Sequence, residues 1–215
     1  MKSKNCISIG SIILLLTVIV AFTGNRVFYK EVKIGNQVWM AENLNMDRFQ
    51  NGDLIKEVKS NEDWILAGKN KQPAWCYYQN DSANGVTYGR IYNWYAITDA
   101  RGLAPAGWQI PNNDHWMELS EFLGGEREAG KKMKSRAGWN NEGNGSNESG
   151  FNAEPAGGRY ANGTFVFKGE SVGFWSITAD SPHTAWFRYL SSVDDLNHKY
   201  SLKKAAGMYV RCIKK

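Results

Sequence analysis

Apolar and polar residues alternate at the start of the segment that follows residue 30. The apolar positions fall on both sides of a Gly35-Asn36 pair: Val32, Ile34, Val38 and Met40. Alternation with a period of two is typical of a strand with one buried face, and a Gly/Asn pair accepts the positive φ of a tight turn. The pattern therefore predicts a β-hairpin over 32–40 at the beginning of the domain.

The next segment, 45–74, is polar and weakly periodic. It predicts a long excursion with one short helix at the apolar cluster 64–66. Residues 73–81 are aromatic on both faces and indicate a buried strand, after which "SANG" at 82–85 predicts a turn. One short helix and one buried strand are therefore expected within 45–85.

A first segment with helical periodicity is 88–100. Its apolar side chains recur at helical spacing: Tyr88, Ile91, Tyr92 and Tyr95. Gly102 and Pro105 end the pattern, so we predict a helix in this segment.

A second segment with helical periodicity is 107–125. Asn112 or Asn113 can cap the helix, and Gly124 can end it. The apolar side chains form one stripe: Trp116, Leu119, Phe122 and Leu123. We predict a helix here, and a further short helix within 126–139 with Met133 toward the core.

The segment 138–151 consists of Gly, Asn, Ser and Glu between two aromatic ends, Trp139 and Phe151. Such a polar stretch is typical of a surface loop. After it, short apolar and aromatic runs separated by turns predict five strands: 157–160, 163–169, 172–178, 185–191 and 207–212. The carboxyl half is therefore expected to be mainly sheet.

The composition suits a loop-rich fold with an aromatic interior, because 9 Trp, 10 Tyr and 9 Phe occur together with 22 Gly in 215 residues. The formal net charge of +5 is spread without a strong basic block. Its densest cluster, 131–134, is interpreted as a solvated helix face. A nucleic-acid partner is therefore not expected.

The first 24 residues have the pattern of a targeting signal. Lys2 and Lys4 precede an apolar run over 7–22, and small residues follow the run. The run is short for a spanning helix, so cleavage is favoured over anchoring. We predict a signal peptide or N-terminal anchor over 1–24 and a single domain over 25–215. The protein is expected to be exported, that is secreted, periplasmic or at the cell surface, and to meet a membrane only through an uncleaved N-terminal segment.

The cysteines also bear on export. Cys6 lies in the targeting segment, which leaves Cys76 and Cys212 as an even pair. In an exported protein the pair predicts a structural disulfide, and the alternative is a reactive pair, which needs a pocket and an activating base. The sequence contains none of the spacing motifs of zinc sites, phosphate loops, dinucleotide folds or serine hydrolases. No catalytic residue and no metal ligand is assigned, and whether the protein is an enzyme stays open.

Six motifs in a fixed order carry a resemblance to a known family: "IGNQVWMAENL", "WCYYQND", "YGRIYNWYAITDARGLAPAGWQIP", "NESGFNAEPAGGR", "FWSIT" and "GMYVRC". From Glu31 to Ile213 the chain resembles the Fibrobacter succinogenes major paralogous domain. The resemblance implies an exported bacterial domain whose fold is related to C-type lectins and to formylglycine-generating enzymes. The expected fold is α+β and C-type lectin-like, with two main helices in the first half, a twisted antiparallel sheet and many loops.

Two features depart from the family pattern. His115 stands where many members carry a carboxylate that completes a helix capping box. A protonated histidine cannot accept the backbone N–H, so capping is expected to rest on Asn112 or Asn113. The lipid-attachment motif common in such proteins is also missing, which weakens the expectation of a lipid tether.

The pair Glu42-Asn43 has two interpretations. In a lectin-like domain the first strand packs beside the last, so Trp39 and Met40 are core candidates, and Glu42-Asn43 follows where the chain leaves that strand. Polar side chains there are expected to bond backbone groups that the turn leaves unpaired, as a polar latch. The alternative is a ligand site.

The candidate ligand site is the loop 138–150 with neighbouring aromatic residues. Its members are Trp139, Asn140, Asn141, Glu142, Asn144, Asn147, Glu148, Trp175 and Trp186. Their amide and carboxylate groups suit sugar hydroxyls or calcium, and calcium is the remaining cofactor candidate although the "AEPAG" at 153–157 fails to match the sugar-binding motif of C-type lectins. Each tryptophan is interpreted either as a stacking face or as a core residue.

Three classes of function fit these patterns. The favoured one is a non-catalytic surface recognition module for glycan or protein, and the alternatives are an enzyme related to the formylglycine-generating group and a structural domain of an envelope assembly. Exposed tryptophans beside polar loop residues would favour the first, an open cysteine pair in a cleft the second, and a large flat apolar face the third.

Overall fold

The computed structural model describes residues 29–215. The predicted leader, 1–24, lies outside the described residues. Within 29–215 the chain forms five α-helices and thirteen short strands, which confirms the α+β class. None of these helices has both the length and the apolar character needed to span a membrane.

The predicted hairpin is confirmed. Strand β1 (Glu31–Ile34) pairs antiparallel with β2 (Gln37–Met40), and the turn residue Gly35 has a φ of 60°. This left-handed backbone explains the glycine, because other residues rarely adopt it at low cost.

Six short elements follow in chain order: β3 (Lys56–Glu57), α1 (Asn61–Lys69), β4 (Ala74–Cys76), α2 (Ser82–Tyr88), β5 (Ile91–Asn93) and α3 (Trp94–Ile97). The predicted short helix is α1, and β4 lies inside the predicted buried strand. The turn predicted at 82–85 is wrong, because this sequence opens α2. The Asp81 side chain caps that helix by accepting from Ala83 N, and Gly89 with φ 72° ends it.

The helix predicted over 88–100 is also wrong in its central part. Ile91–Asn93 is a fully buried strand, in which Tyr92 lies opposite Trp75 on one side and Met208 on the other. A short apolar run buried on both faces has no period of its own, so its spacing resembles that of a helix by chance. Only Trp94–Ile97 is helical.

The helical layer consists of α4 (Asn113–Phe122) and α5 (Glu126–Met133), which follow the short strand β6 (Trp108–Gln109). Asn112 Oδ1 accepts from His115 N at 2.9 Å, and Asn112 N donates to His115 Nδ1 at 3.2 Å. The expectation that His115 leaves the capping box incomplete is therefore wrong, because an unprotonated Nδ1 replaces the carboxylate oxygen.

The predicted apolar stripe of α4 is only partly buried. Trp116 and Leu119 are in the core, whereas Phe122 is 63% exposed. Its ring covers the hairpin turn, so that a Cβ added at Gly35 would lie 2.8 Å from Phe122 Cδ2. The short helix predicted within 126–139 is α5, with Met133 buried.

The carboxyl half is mainly strand, as predicted. In chain order the strands are β7 (Ala156–Arg159), β8 (Phe165–Lys168), β9 (Ser171–Ala179), β10 (Thr184–Ser191), β11 (His198–Lys203), β12 (Gly207–Met208) and β13 (Ile213–Lys214). The strand predicted over 207–212 is shorter than expected, because only β12 lies within it. β13 begins after it, and β11 is additional.

The strands form two sheets. The smaller has the order β1-β2-β13-β6, and the larger has the order β11-β10-β9-β7-β12-β5-β4-β3 with β8 paired to β7. The expectation of an antiparallel sheet requires correction, because β3 with β4 and β7 with β9 are parallel pairs. The hairpin meets the last strand as expected, with Trp39 opposite Ile213.

Two hydrophobic clusters hold these layers together. One joins the helices to the sheet through Trp39, Trp116, Phe151 and Phe174, with Trp39 and Trp116 ring centroids 4.7 Å apart. The second includes Trp175, Phe187 and Met208 on the other side of β9. Fully buried aromatic side chains of this kind contribute on the order of 1.5–3 kcal/mol each.

Candidate binding groove

The larger sheet turns one face to the helices and the other to an open groove. Residues directly opposite each other on neighbouring strands share a face of the sheet. Gly173 lies opposite Tyr189, and Phe187 lies opposite Tyr200. The intervening Arg188 points to the helical side, where it donates to Glu126 on α5 at 2.8 Å. Because successive side chains of a strand point to opposite faces, the aromatic rings lie on the groove face and the alternate side chains contact the helices.

The groove on this face has a volume of about 470 Å³, within the roughly 300–1,000 Å³ typical of ligand sites. Its aromatic lining is Tyr160, Phe167, Phe187, Tyr189 and Tyr200. The rest of its lining is small or aliphatic: Gly157, Gly158, Val166, Ser171, Gly173, Ser201, Leu202 and Met208. None of these described lining residues carries a charge.

The aromatic rings stand on two sides of the groove. On one side Tyr200 packs against Tyr189 and Phe187, with ring centroids 6.1 and 6.3 Å apart. On the other side Tyr160 meets Phe167 edge to face at 6.0 Å. Tyr160, Phe167 and Tyr200 are 37%, 43% and 50% exposed, so their rings remain available to a ligand.

The groove exists because small residues occupy its floor. Gly173 faces the aromatic row, and a Cβ added there would lie 2.4 Å from Met208 Sδ and 3.2 Å from the Phe187 ring. Any side chain at this position would therefore collide with the floor or fill the groove.

Phe167 has a φ of 64°, a left-handed conformation that is uncommon for a bulky residue and costs energy. The turn after β8 fixes it, because Glu170 N donates to Phe167 O at 2.9 Å. Strained residues persist where the surrounding structure holds them, and they are common at binding sites. Here the strain accompanies the projection of Phe167 into the groove wall.

Tyr200 is held by a polar chain at the groove edge. Its hydroxyl lies 3.2 Å from His198 Nδ1, and His198 Nε2 lies 2.9 Å from Asp194 Oδ2. The rings of His198 and Tyr200 stack at 5.2 Å with an interplanar angle of 13°. These contacts position the Tyr200 ring without placing a charged group in the groove lining.

The residues predicted to bind ligand lie elsewhere. Trp139 is buried and donates to Ser135 Oγ at 2.9 Å, and Trp175 is buried and donates to Tyr92 O at 2.9 Å. Trp186 is half-buried beneath Lys199, whose Nζ lies 4.4 Å from its ring centroid. Trp139 and Trp175 are therefore core residues and not stacking faces for a ligand.

The polar loop 138–150 contains no helix or strand, as predicted. Its side chains at Asn140, Asn141, Glu142, Asn144 and Glu148 are exposed, and Asn147 is half-buried. Part of this set holds the loop itself, since Asn144 Oδ1 accepts from Trp139 N at 3.1 Å and Asn147 Oδ1 accepts from Asn152 N at 2.9 Å. Among residues 29–215, no three His, Cys, Asp or Glu side chains converge to hold a metal ion.

Glu42 and Asn43 have different environments. Glu42 is exposed and pairs with Lys30 at 2.5 Å. Asn43 donates to Tyr88 O at 2.9 Å and accepts from Arg211 Nη2 at 2.7 Å. Only Asn43 therefore joins the end of the hairpin to other parts of the fold.

The predicted disulfide is not formed, since Cys76 and Cys212 are both free and buried. The two cysteines belong to different hydrophobic clusters. An even number of cysteines outside the predicted leader therefore did not mean that the two thiols are paired. Burial raises the pKa of the Cys76 thiol to about 12, and it also raises the pKa of the Cys212 thiol. Raised pKa values and lack of access are the properties of unreactive thiols.

No sequence pattern predicted the groove. The apolar pattern over 185–191 predicted the strand that carries Phe187 and Tyr189, whereas β11, which carries Tyr200, was not predicted. A signal for β11 was present, because Tyr200 and Leu202 alternate with polar residues over 198–203. The lysines Lys199 and Lys203 gave that segment a polar appearance, which is common in edge strands.

The fold and the groove together define an α+β domain with a mixed sheet and an open aromatic face. The model of the Fibrobacter succinogenes major domain matches residues 32–214, and the chain belongs to this family. The resemblance found in the six sequence motifs is thereby confirmed. No curated protein and no solved structure matches the chain.

Proposed function

We propose that the protein is an exported or cell-surface recognition module of a bacterium, which binds an uncharged glycan in the aromatic groove and catalyses no reaction. One observation carries this proposal: three part-exposed rings, Tyr160, Phe167 and Tyr200, surround an open groove without a charged lining residue. The fold is proposed to be C-type lectin-like, which is supported by the pairing of the first hairpin with the last strand.

The chemistry of the groove favours a neutral sugar. Aromatic faces pack against the C–H surfaces of a sugar ring, while hydroxyls of Tyr160, Tyr189, Tyr200 and Ser201 can exchange hydrogen bonds with its hydroxyls. A charged ligand would lose hydration without meeting a countercharge in the lining.

The loop 138–150 is proposed to extend this site, with calcium as an accessory ion. The loop adjoins the turn that fixes Phe167, since Asn140 N donates to Gly169 O at 2.7 Å. A ligand longer than the groove would pass from the aromatic wall to the amides and carboxylates of the loop. Those groups provide the oxygen ligands that calcium prefers.

The test is binding of the purified protein to an array of neutral and acidic glycans, with calcium or with a chelator. We expect neutral glycans to bind, and Tyr200→Ala to lower the affinity about tenfold. Phe122→Ala is the matched control, because Phe122 is also an exposed aromatic residue but lies on α4. Retention of only acidic glycans, or equal losses in both variants, would contradict the proposal.

One triple variant tests the loop separately. The triple change Glu142→Ala, Asn144→Ala, Glu148→Ala should weaken binding of long glycans while short ones still bind. Melting temperature should change little, because solvated loop side chains contribute little to stability. Unaltered affinity for every glycan would confine the site to the groove.

The two alternatives have less support. An enzyme related to the formylglycine-generating group needs an accessible cysteine pair, whereas Cys76 and Cys212 are both buried. A structural envelope domain calls for a broad flat apolar face, whereas the exposed rings of Tyr160, Phe167 and Tyr200 surround a concave groove.

A further inference from the structure

A second and smaller pocket lies where the chain leaves the hairpin and passes α2. Its lining includes Glu42, Asn43, Val86, Thr87, Glu154 and Arg211. The volume is about 160 Å³, below the roughly 300 Å³ at which sites for drug-sized ligands begin. The lining is polar and charged, unlike that of the aromatic groove, so a small polar ligand is indicated.

Arg211 forms the base of this pocket and is only 2% exposed. Its Nη1 donates to the backbone carbonyls of Met40 and Phe151. Its Nε and Nη2 donate to Asn43 Oδ1 at 3.0 and 2.7 Å. A guanidinium has five N–H groups, so one Nη2 hydrogen has no acceptor among the described residues.

The charge of Arg211 is also not neutralised by direct contact. Within 29–215 no carboxylate lies within ion-pair distance of its guanidinium, although Glu42 and Glu154 line the same pocket. Burial lowers the pKa of Arg211 to about 9, whereas the charges of Glu42 and Glu154 act in the opposite direction. A buried cation is stabilised by an anion that accepts its free N–H.

The two glutamates differ in their availability. Glu42 already pairs with Lys30 at 2.5 Å. Glu154 has no ion-pair partner within the described part of the chain, and only one of its oxygens, Oε1, accepts from Asn152 Nδ2, at 3.2 Å. The pocket therefore combines an unpaired N–H of Arg211, which can donate to an anion, with the Glu154 carboxylate, which can accept from a cation.

We propose that this pocket binds a free α-amino acid. The ligand carboxylate accepts from the unpaired Nη2 hydrogen of Arg211, and the ligand ammonium donates to the Glu154 carboxylate. A small side chain packs against Val86, which is exposed on α2. Asn43 positions the guanidinium and does not contact the ligand.

This ligand class fits better than three simpler ones. A plain anion would leave Glu154 facing negative charge, and a metal cation would meet the guanidinium. A neutral sugar would leave the free cation and carboxylate without countercharges. An α-amino acid carries both charges on adjacent groups, so each charged side chain gains a partner in one binding event.

The experiment is titration calorimetry of the full-length protein with glycine, alanine and valine up to about 10 mM, a range that detects weak sites. Three related compounds separate the charges: N-acetylalanine lacks the ammonium, alaninamide lacks the carboxylate, and acetate offers an anion alone. We expect binding of a free amino acid and about tenfold or greater loss with each of the three.

The variants test the assigned roles. Glu154→Gln should reduce affinity for the amino acid about tenfold, whereas Glu121→Gln, on the exposed face of α4, should leave it unchanged. Val86→Trp should block the pocket, and it should fold because Val86 is 89% exposed. Lack of binding by glycine, alanine and valine alike, acetate binding as tight as alanine, or an unaffected Glu154→Gln variant would overturn the proposal. Glycan binding in the groove is independent of all these outcomes.

Discussion

Asn43 Oδ1 accepts hydrogen bonds from both Nε and Nη2 of Arg211, a residue 168 positions later in the chain. The same asparagine donates to Tyr88 O at the end of α2. One side chain thus connects the first hairpin, a helix and the approach to the last strand. Of the two residues interpreted as a latch, only Asn43 has this geometry.

Asn43→Ala should destabilise the fold by roughly 2–4 kcal/mol, because a buried guanidinium would lose its only side-chain acceptor among the described residues. Urea unfolding followed by tryptophan fluorescence measures this change. Glu42→Gln is the neighbouring control and should change stability by less than about 0.5 kcal/mol, since exposed ion pairs contribute little. Equal effects of the two variants would show that Asn43 does not act as a latch.

Gly173→Ala should cost about 1–3 kcal/mol, because the added Cβ would lie 2.4 Å from Met208 Sδ. Met208→Ala removes that sulfur, so the same glycine substitution should cost much less in the Met208→Ala background. A double-mutant cycle of unfolding free energies measures the coupling. Additive costs would mean that Met208 is not the group that excludes a side chain, which would leave the Phe187 ring at 3.2 Å as the obstacle.

His115→Ala should destabilise α4 by about 0.5–1.5 kcal/mol, because the backbone N–H of Asn112 would lose its acceptor. His115→Glu should be neutral or slightly stabilising, since a carboxylate completes the usual capping box and favours the positive helix end. Thermal unfolding of the two variants measures both changes in stability. If both variants lose the same stability, His115 contributes through packing.

Alkaline pH should destabilise the protein through its buried thiols. Burial raises the pKa of Cys76 from 9.0 to about 12, so above pH 9 the unfolded chain loses this proton before the folded one does. The contribution of the Cys76 thiol to stability is therefore fully present below pH 9. It is lost as pH rises toward 12, by at most about 1.4 kcal/mol per pH unit for one group. Cys76→Ala should make this decline shallower in urea titrations at several pH values, and an unchanged slope would contradict the assignment.

Thiol labelling tests the free state of both cysteines. Without reductant, iodoacetamide should label neither Cys76 nor Cys212 in the native protein, because both are buried. In denaturant, still without reductant, intact mass should show both labelled. Two unlabelled cysteines in the denatured protein would show that Cys76 and Cys212 form a disulfide.

Local chemistry was sufficient to determine several elements from the sequence. The hairpin over 32–40 follows from a period of two and a Gly-Asn turn, and α4 follows from Asn112 and the spacing of Trp116 and Leu119. These signals depend on neighbours within a few residues, which is why they survive without knowledge of the rest of the fold. The ordered motifs also determined the family, because they span nearly the whole matched segment.

The tertiary structure alone decided where Tyr92, Tyr200 and the cysteines lie. Tyr92 is in a strand because Trp75 and Met208 flank it, and these partners are 17 and 116 positions away in the chain. Gly173 opens a groove only because strand register places it opposite Tyr189. Sequence patterns indicate which side chains avoid water. A binding site or a disulfide depends instead on which distant segments of the chain meet, and the register between strands determines which of their side chains come close together.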